Sequence, residues 1–152
     1  MKRMTVVAMA VVVMGLLYVG AAVAGGSMKE TADFKIMVPN GWQFSDFKNG
    51  ALQTYNKMGS YMVEVKKAGK NMSESDVQNT VAALAKKYKG TGPEKVKMLG
   101  LVFYKTTFNV ASTHQSLYSA LRNGAKISIA MMGKDHETNA TMQAVFKSIV
   151  IK

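Results

Sequence analysis

Apolar residues along the chain follow two periods. In Phe34-Lys35-Ile36-Met37-Val38, the residues Phe34, Ile36 and Val38 alternate and share one face of a strand. Pro39 cannot donate to a ladder and ends it, Asn40-Gly41 supplies a turn, and Trp42 and Phe44 then alternate with Gln43 and Ser45 as a second short strand. Asn49-Gly50 is a further turn signal. Ala51 to Lys57 reads as a weak strand, broken by Met58-Gly59-Ser60. In the strand from Tyr61 to Lys66, Tyr61, Val63 and Val65 share a face. Lys66-Lys67-Ala68-Gly69-Lys70 reads as a solvated loop.

The period then changes. Val77, Val81, Leu84, Ala85 and Tyr88 form one stripe at helical spacing and predict a helix over about 74–89. Ser73 or Ser75 can cap it, Glu74 and Asp76 suit its positive end, and Lys86, Lys87 and Lys89 suit its negative end. Gly90 is the expected left-handed residue after it, and Thr91-Gly92-Pro93 prevents continuation. Glu94 to Gly100 and Leu101 to Val110 read as strands meeting at Gly100. Gln115 to Arg122 and Ala125 to Met132 flank Asn123-Gly124. A two-residue turn there sets Leu121 opposite Lys126 and Leu117 opposite Ala130, leaving both faces mixed. A three-residue loop, Arg122-Asn123-Gly124, places Leu117, Ser119 and Leu121 with Ala125, Ile127, Ile129 and Met131; this cleaner pattern favours the longer loop. Met142, Val145, Phe146 and Ile149 predict a last helix over about 138–149. Hairpin-joined strands with two helices indicate an α+β domain whose sheet is mostly antiparallel.

Composition adds an address and a charge. Lys2 and Arg3, the uncharged run from Val6 to Val19, and Ala22-Val23-Ala24 have the three-part layout of a secretory signal over residues 1–24, cleaved after Ala24. Thr5 to Ala24 is also about long enough to span a bilayer as a retained anchor. Residues 25–32 are small and polar and read as a flexible leader. Residues 33–152 are expected to form one domain, periplasmic or secreted, with no transmembrane segment after cleavage. Beyond the signal, 18 basic residues face nine acidic ones, a formal +9 that favours anionic partners. The absence of cysteine excludes disulfides, thiolate metal sites and cysteine nucleophiles.

Phe34, Ile36, Val38, Pro39, Gly41 and Trp42, in the pattern F-x-I-x-V-P-x-G-W, together with a closing Phe146-Lys147-Ser148-Ile149, resemble the PsbP-like superfamily. That superfamily includes the photosystem II extrinsic subunit and bacterial periplasmic DcrB-like proteins. The resemblance implies an α/β/α sandwich on a central antiparallel sheet, and non-catalytic work such as docking onto a larger partner. Its matched positions are core and turn positions, so no functional residue carries over.

The search for chemistry yields little. His114 and His136 stand alone, each expected at the surface, with no second ligand at helical spacing, so no metal site is expected. Asp33, Asp46, Glu64, Asp76 and Asp135 show no pairing, and no nucleophile or phosphate-loop motif occurs. Neither catalysis nor a cofactor is expected. The lysines remain. Lys66, Lys67 and Lys70 in one loop and Lys86 and Lys87 at one helix end are the candidate docking residues, with Lys95 and Lys97 as a same-face pair. An acidic protein or an anionic envelope component would suit them. Export, and the lack of aromatic residues among these lysines, argue against nucleic acid. Trp42 is expected to lid the core rather than stack on a ligand. The alternative function is a small-molecule or copper carrier using a pocket near Trp42 and the methionines Met28, Met37, Met58, Met62, Met72, Met98, Met131, Met132 and Met142.

Overall fold

The computed structural model describes residues 25–152. The export signal read over residues 1–24 lies outside the described residues. In chain order the elements are β1 (Gly26–Glu30), β2 (Phe34–Pro39), β3 (Gln43–Asp46), β4 (Ala51–Tyr55), β5 (Gly59–Lys67), α1 (Glu74–Lys87), β6 (Thr91–Met98), β7 (Leu101–Val110), β8 (Thr113–Arg122), β9 (Ala125–Gly133), α2 (Ala140–Ser148) and β10 (Val150–Ile151). Seven strands form one antiparallel sheet in the order β3-β4-β5-β9-β8-β7-β6, and β1-β2-β10 form a second, smaller one. Among the described residues no helix is long and apolar enough to cross a membrane.

The period-two pattern dictates which layer each side chain joins. Tyr61, Val63 and Val65 of β5, Ile127, Ile129 and Met131 of β9, and Tyr118 and Ala120 of β8 point to one face. There they meet Phe34, Ile36 and Met37 of β2 and Met142, Val145 and Ile149 at α2 in one continuous core. The opposite face of β6, β7 and β8 is covered by α1, whose Val77 and Val81 pack on Tyr104 with Met72 and Leu121 at the margin. The result is α1, the large sheet, then α2 with the small sheet: an α/β/α sandwich. Fully burying an aliphatic or aromatic side chain contributes about 1.5–3 kcal/mol, so this two-sided cover is the main source of stability.

Helix α1 is closed at both ends by its own sequence. Ser73 Oγ accepts from the Asp76 N–H at 3.2 Å while Asp76 Oδ2 accepts from the Ser73 N–H at 2.8 Å, a reciprocal capping box. At the other end the Gly90 N–H donates to Ala85 O at 2.8 Å and the Lys89 N–H to Lys86 O at 3.3 Å. The left-handed residue is Lys89, with φ of 53°, and not Gly90 as expected. Gly90 is needed for a different reason: a Cβ there would collide with the Thr107 carbonyl. In α2 the helix starts later than the expected 138, because Asn139 caps it by accepting from the Met142 N–H at 3.1 Å.

Two further expectations give way. Residues 25–32, read as a leader, instead contribute β1. Its sequence has no apolar alternation; it forms because β2 presents an edge whose peptide groups need partners, and Met28 lies opposite Met37. The β8–β9 hairpin takes the two-residue turn, not the longer loop. Arg122 pairs with Ala125, Asn123 and Gly124 are both left-handed (φ of 49° and 73°), Leu121 faces Lys126 and Leu117 faces Ala130. The longer loop gives the cleaner apolar face, an advantage only where the other face of the strand is wet. Both faces of β8 are covered, by α1 on one side and α2 on the other, so mixed faces are acceptable.

Two substitutions test this arrangement. Ile129→Ala removes a fully buried side chain from the shared core and is expected to cost about 2–5 kcal/mol in denaturant unfolding. Lys89→Gly relieves a left-handed lysine at the α1 terminus and is expected to stabilise by about 0.5–1 kcal/mol in the same measurement.

Candidate functional site

The candidate lysines occupy two places. Lys66 and Lys67 end β5, where they pair with Lys126 and Ala125 of β9, and Lys70 follows in the turn that leads into α1. Lys86 and Lys87 lie in the last turn of α1, with Lys87 Nζ 5.1 Å over the Tyr88 ring. A helix rises about 1.5 Å per residue, so the fourteen residues of α1 hold the two groups about 20 Å apart. The fold therefore does not bring them into one patch. Nor are they equivalent: Lys66 Nζ is 2.6 Å from Glu64 Oε1 and partly neutralised, whereas Lys67, Lys70, Lys86 and Lys87 have no carboxylate partner among the described residues. Lys95 and Lys97 lie on the edge strand β6, with Lys95 Nζ 5.6 Å from the Tyr104 ring centre.

Trp42 follows the turn that closes β2. Its backbone N–H donates to Pro39 O at 3.0 Å, and Gly41 has φ of 77°, a conformation a side chain would strain. The indole is half-buried and packs on the core. Beside it, Gly41, Gln43, Tyr55, Asn56 and Lys57 line an open hollow of about 390 Å³. The methionines are spread. Met37, Met131 and Met142 are in the core, Met28 and Met58 are exposed, and Met132 lies on the sheet face opposite Met131. Among the described residues no group of three or more His, Asp or Glu side chains could hold a metal ion.

The titratable residues that do converge are ones the sequence kept apart. His136, expected at the surface, is fully buried. Its Nδ1 is 2.8 Å from Gly133 O; a carbonyl can only accept, so Nδ1 carries the proton and donates. Its Nε2 is 2.8 Å from Oγ of the equally buried Ser116. Ser116 Oγ is also 2.9 Å from Glu137 Oε1, which holds Lys105 Nζ at 2.6 Å. The exposed His114 ring lies 4.9 Å from that of His136, and its Nδ1 is 3.1 Å from Asn109 Oδ1. The Tyr61 hydroxyl is buried without a partner.

Each shift in this chain has a physical cause. Burial disfavours the imidazolium and lowers the His136 pKa; His114 and Lys105 act in the same direction, while the bond to Gly133 and the Glu137 charge oppose them. Burial raises Glu137, but the bonds from Lys105 and Ser116 outweigh it and hold the carboxyl below its ordinary value. Burial opposes the Lys105 charge, and Glu137 more than restores it. Burial raises both Tyr61 and Tyr118.

No family model matches the chain, and no curated protein matches it. Solved structures do. Cyanobacterial PsbP (CyanoP) from Synechocystis sp. PCC 6803 superposes with a TM-score of 0.60 at 13% identity, over 88% of this chain and 96% of that one. The fold is PsbP-like. A protein of Bacteroides thetaiotaomicron VPI-5482 matches at a TM-score of 0.50 and 15% identity, over 78% of this chain and 45% of its own. LpqN, involved in cell envelope biogenesis of Mycobacterium tuberculosis, matches at 0.48 and 14%, over 84% of this chain and 85% of its own. At such identities the PsbP-like likeness is one of architecture.

The sequence signal for the buried chain was faint. Ser116 and His136 are 20 residues apart and join only because β8 and the segment after β9 meet at one end of the sheet. Ser116→Ala removes the one hydroxyl within hydrogen-bond distance of both Glu137 Oε1 and His136 Nε2. It is expected to destabilise by about 1–3 kcal/mol at neutral pH, as read by denaturant unfolding.

Proposed function

We propose that the protein is an exported, non-catalytic accessory protein, periplasmic or secreted after cleavage following Ala24. Its folded part, residues 33–152 with β1 added, docks an acidic protein or another anionic envelope component. Lys67 and Lys70, beside Lys66 and Lys126 at the β5–α1 end, are the contact points.

The observation that carries this reading is the surplus of unpaired lysines. Of the 17 lysines from Gly25 onward, five are in ion pairs, and the other twelve have no carboxylate partner among the described residues. Such a surface draws in anionic partners over a range set by ionic strength. The Lys67–Lys70 end is favoured because Lys66 and Lys126 face each other across β5 and β9, concentrating positive charge there. The non-catalytic part is supported by the burial of Ser116 and His136. A nucleophile must reach its substrate, and this hydroxyl is shut away from solvent.

Capture from envelope extracts tests both parts of the reading. The partner is expected to be retained at low salt and lost at high salt. Lys67→Glu with Lys70→Glu is expected to weaken capture about tenfold, and Lys86→Glu with Lys87→Glu to leave it nearly unchanged. Capture indifferent to salt would sink the electrostatic reading, and equal loss in both double variants would sink the choice of face.

A further inference from the structure

The large sheet ends in two edge strands, β3 with four residues and β6 with eight. The start of β6 is blunted. Its register with β7 shifts between Thr91 and Glu94, and Pro93 has no N–H to offer. From Glu94 to Met98 the pairing is regular.

The turn between β6 and β7 fixes which backbone groups of that stretch are free. Leu99 and Gly100 are both left-handed, with φ of 51° and 72°. Met98 and Leu101 therefore flank a two-residue turn and form the hydrogen-bonded pair that closes it. Hydrogen-bonded pairs alternate along an antiparallel ladder, so Val96 with Phe103 and Glu94 with Lys105 are the next two. The N–H and C=O groups of Lys95 and Lys97 point the other way, along the open edge. The two residues whose backbone is free to take another strand are thus the two that carry positive charge.

Their side chains lie on the α1 side of the sheet, opposite Tyr104 and Val102. Both are exposed, and neither has a carboxylate partner among the described residues. The other side of the strand carries Val96 and Met98, both half-buried. At the hairpin end, Lys97, Met98, Gly100, Leu101 and Val102 line an open hollow of about 450 Å³, where Val102 is 37% exposed.

We propose that Glu94 to Met98 of β6 is a strand-docking edge: it takes an extended segment of a partner protein whose acidic side chains, at alternate positions, lie against Lys95 and Lys97. This inference concerns a different face from the Lys67–Lys70 end and does not depend on the docking role proposed for that end.

Charge and register choose this occupant over a second copy of the chain. Symmetric antiparallel pairing about Val96 sets Lys95 against the copy's Lys97 twice. Pairing about Lys95 or about Lys97 sets a lysine against itself. Like charges directly opposite destabilise a ladder, so the two lysines guard the edge against self-association. An acidic residue at the same cross-strand positions turns each repulsion into an attraction. Main-chain bonds to Lys95 and Lys97 give such a segment its affinity, and the spacing of its acids gives it a register. An apolar residue between the acids falls beside Val96, and one beyond the Lys97 end meets the hollow.

Amide hydrogen exchange on the exported protein, with and without an excess of a synthetic peptide alternating glutamate and valine, tests the edge. The Lys95 and Lys97 amides are expected to exchange about tenfold more slowly with the peptide, and those of Val96 and Met98, already bonded to β7, to change less. Lys95→Glu with Lys97→Glu is expected to lose this protection and to gain it from a peptide alternating lysine and valine. Lys95 and Lys97 amides left unprotected by excess peptide would overturn the proposal. Equal protection by a peptide of the same composition with its glutamates in one block would do so too, since spacing would then be irrelevant. Protection of both amides in the protein alone, rising with its concentration, would assign the edge to a second copy instead.

Discussion

Strand β9 is hydrogen-bonded along its length on both sides, to β5 and to β8, and the remaining elements are disposed about the two faces of that three-strand centre. The side chains of Ile127, Ile129 and Met131 demand cover on one side, which α2 and β2 provide. On the other side cover is needed only farther along, over β7 and β8, where α1 lies. Two helices suffice because the demand is offset: each sits where the sheet beneath it is most apolar. The small sheet exists for the same reason. Strand β2 is buried on both of its faces, and β1 and β10 are the backbone partners that such a strand requires.

Local patterns in the sequence located β2, β5, α1 and α2 because each answers to its own residues. The stripe from Val77 to Tyr88, the Ser73–Asp76 cap and the alternation in Phe34–Val38 all have partners within a few positions. What was not legible depends on distant parts of the chain. The β8–β9 register turned on whether the second face of β8 is wet, and only the path of α1 decides that. Strand β1 carries almost no signal of its own; β2 induces it. His136 reads in sequence as a surface residue because its buried setting is built by Ser116 and Gly133, from different strands.

The same distinction separates the lysines from the buried chain. Charge was legible residue by residue, and the fold did little to it beyond distributing it between the two ends of α1. Lys66, equal to its neighbours in sequence, is set apart by Glu64 two positions away on the same side of β5. The polar chain from Lys105 to His136, in contrast, exists only in three dimensions. Its members are ordinary residue types made unusual by burial and by one another, which is why their pKa values move.

The arrangement around β2 also sets an order of events during synthesis. Its N–H at Met37 donates to Ser148 Oγ, a partner 111 residues away, and its last ladder neighbour, β10, follows still later. Lys152 closes the ring by pairing with Glu30 at 2.7 Å and donating its N–H to Asp33 O at 2.9 Å. The first strongly apolar strand to be made is thus among the last to be completed. Until α2 and β10 arrive, Phe34 and Ile36 have no full cover, and contacts this distant in sequence form slowly. A chain delivered across a membrane from its N-terminus would expose this strand throughout its passage. The topology thus leaves an apolar strand uncovered until the last residues of the chain are in place, the condition in which aggregation competes with folding.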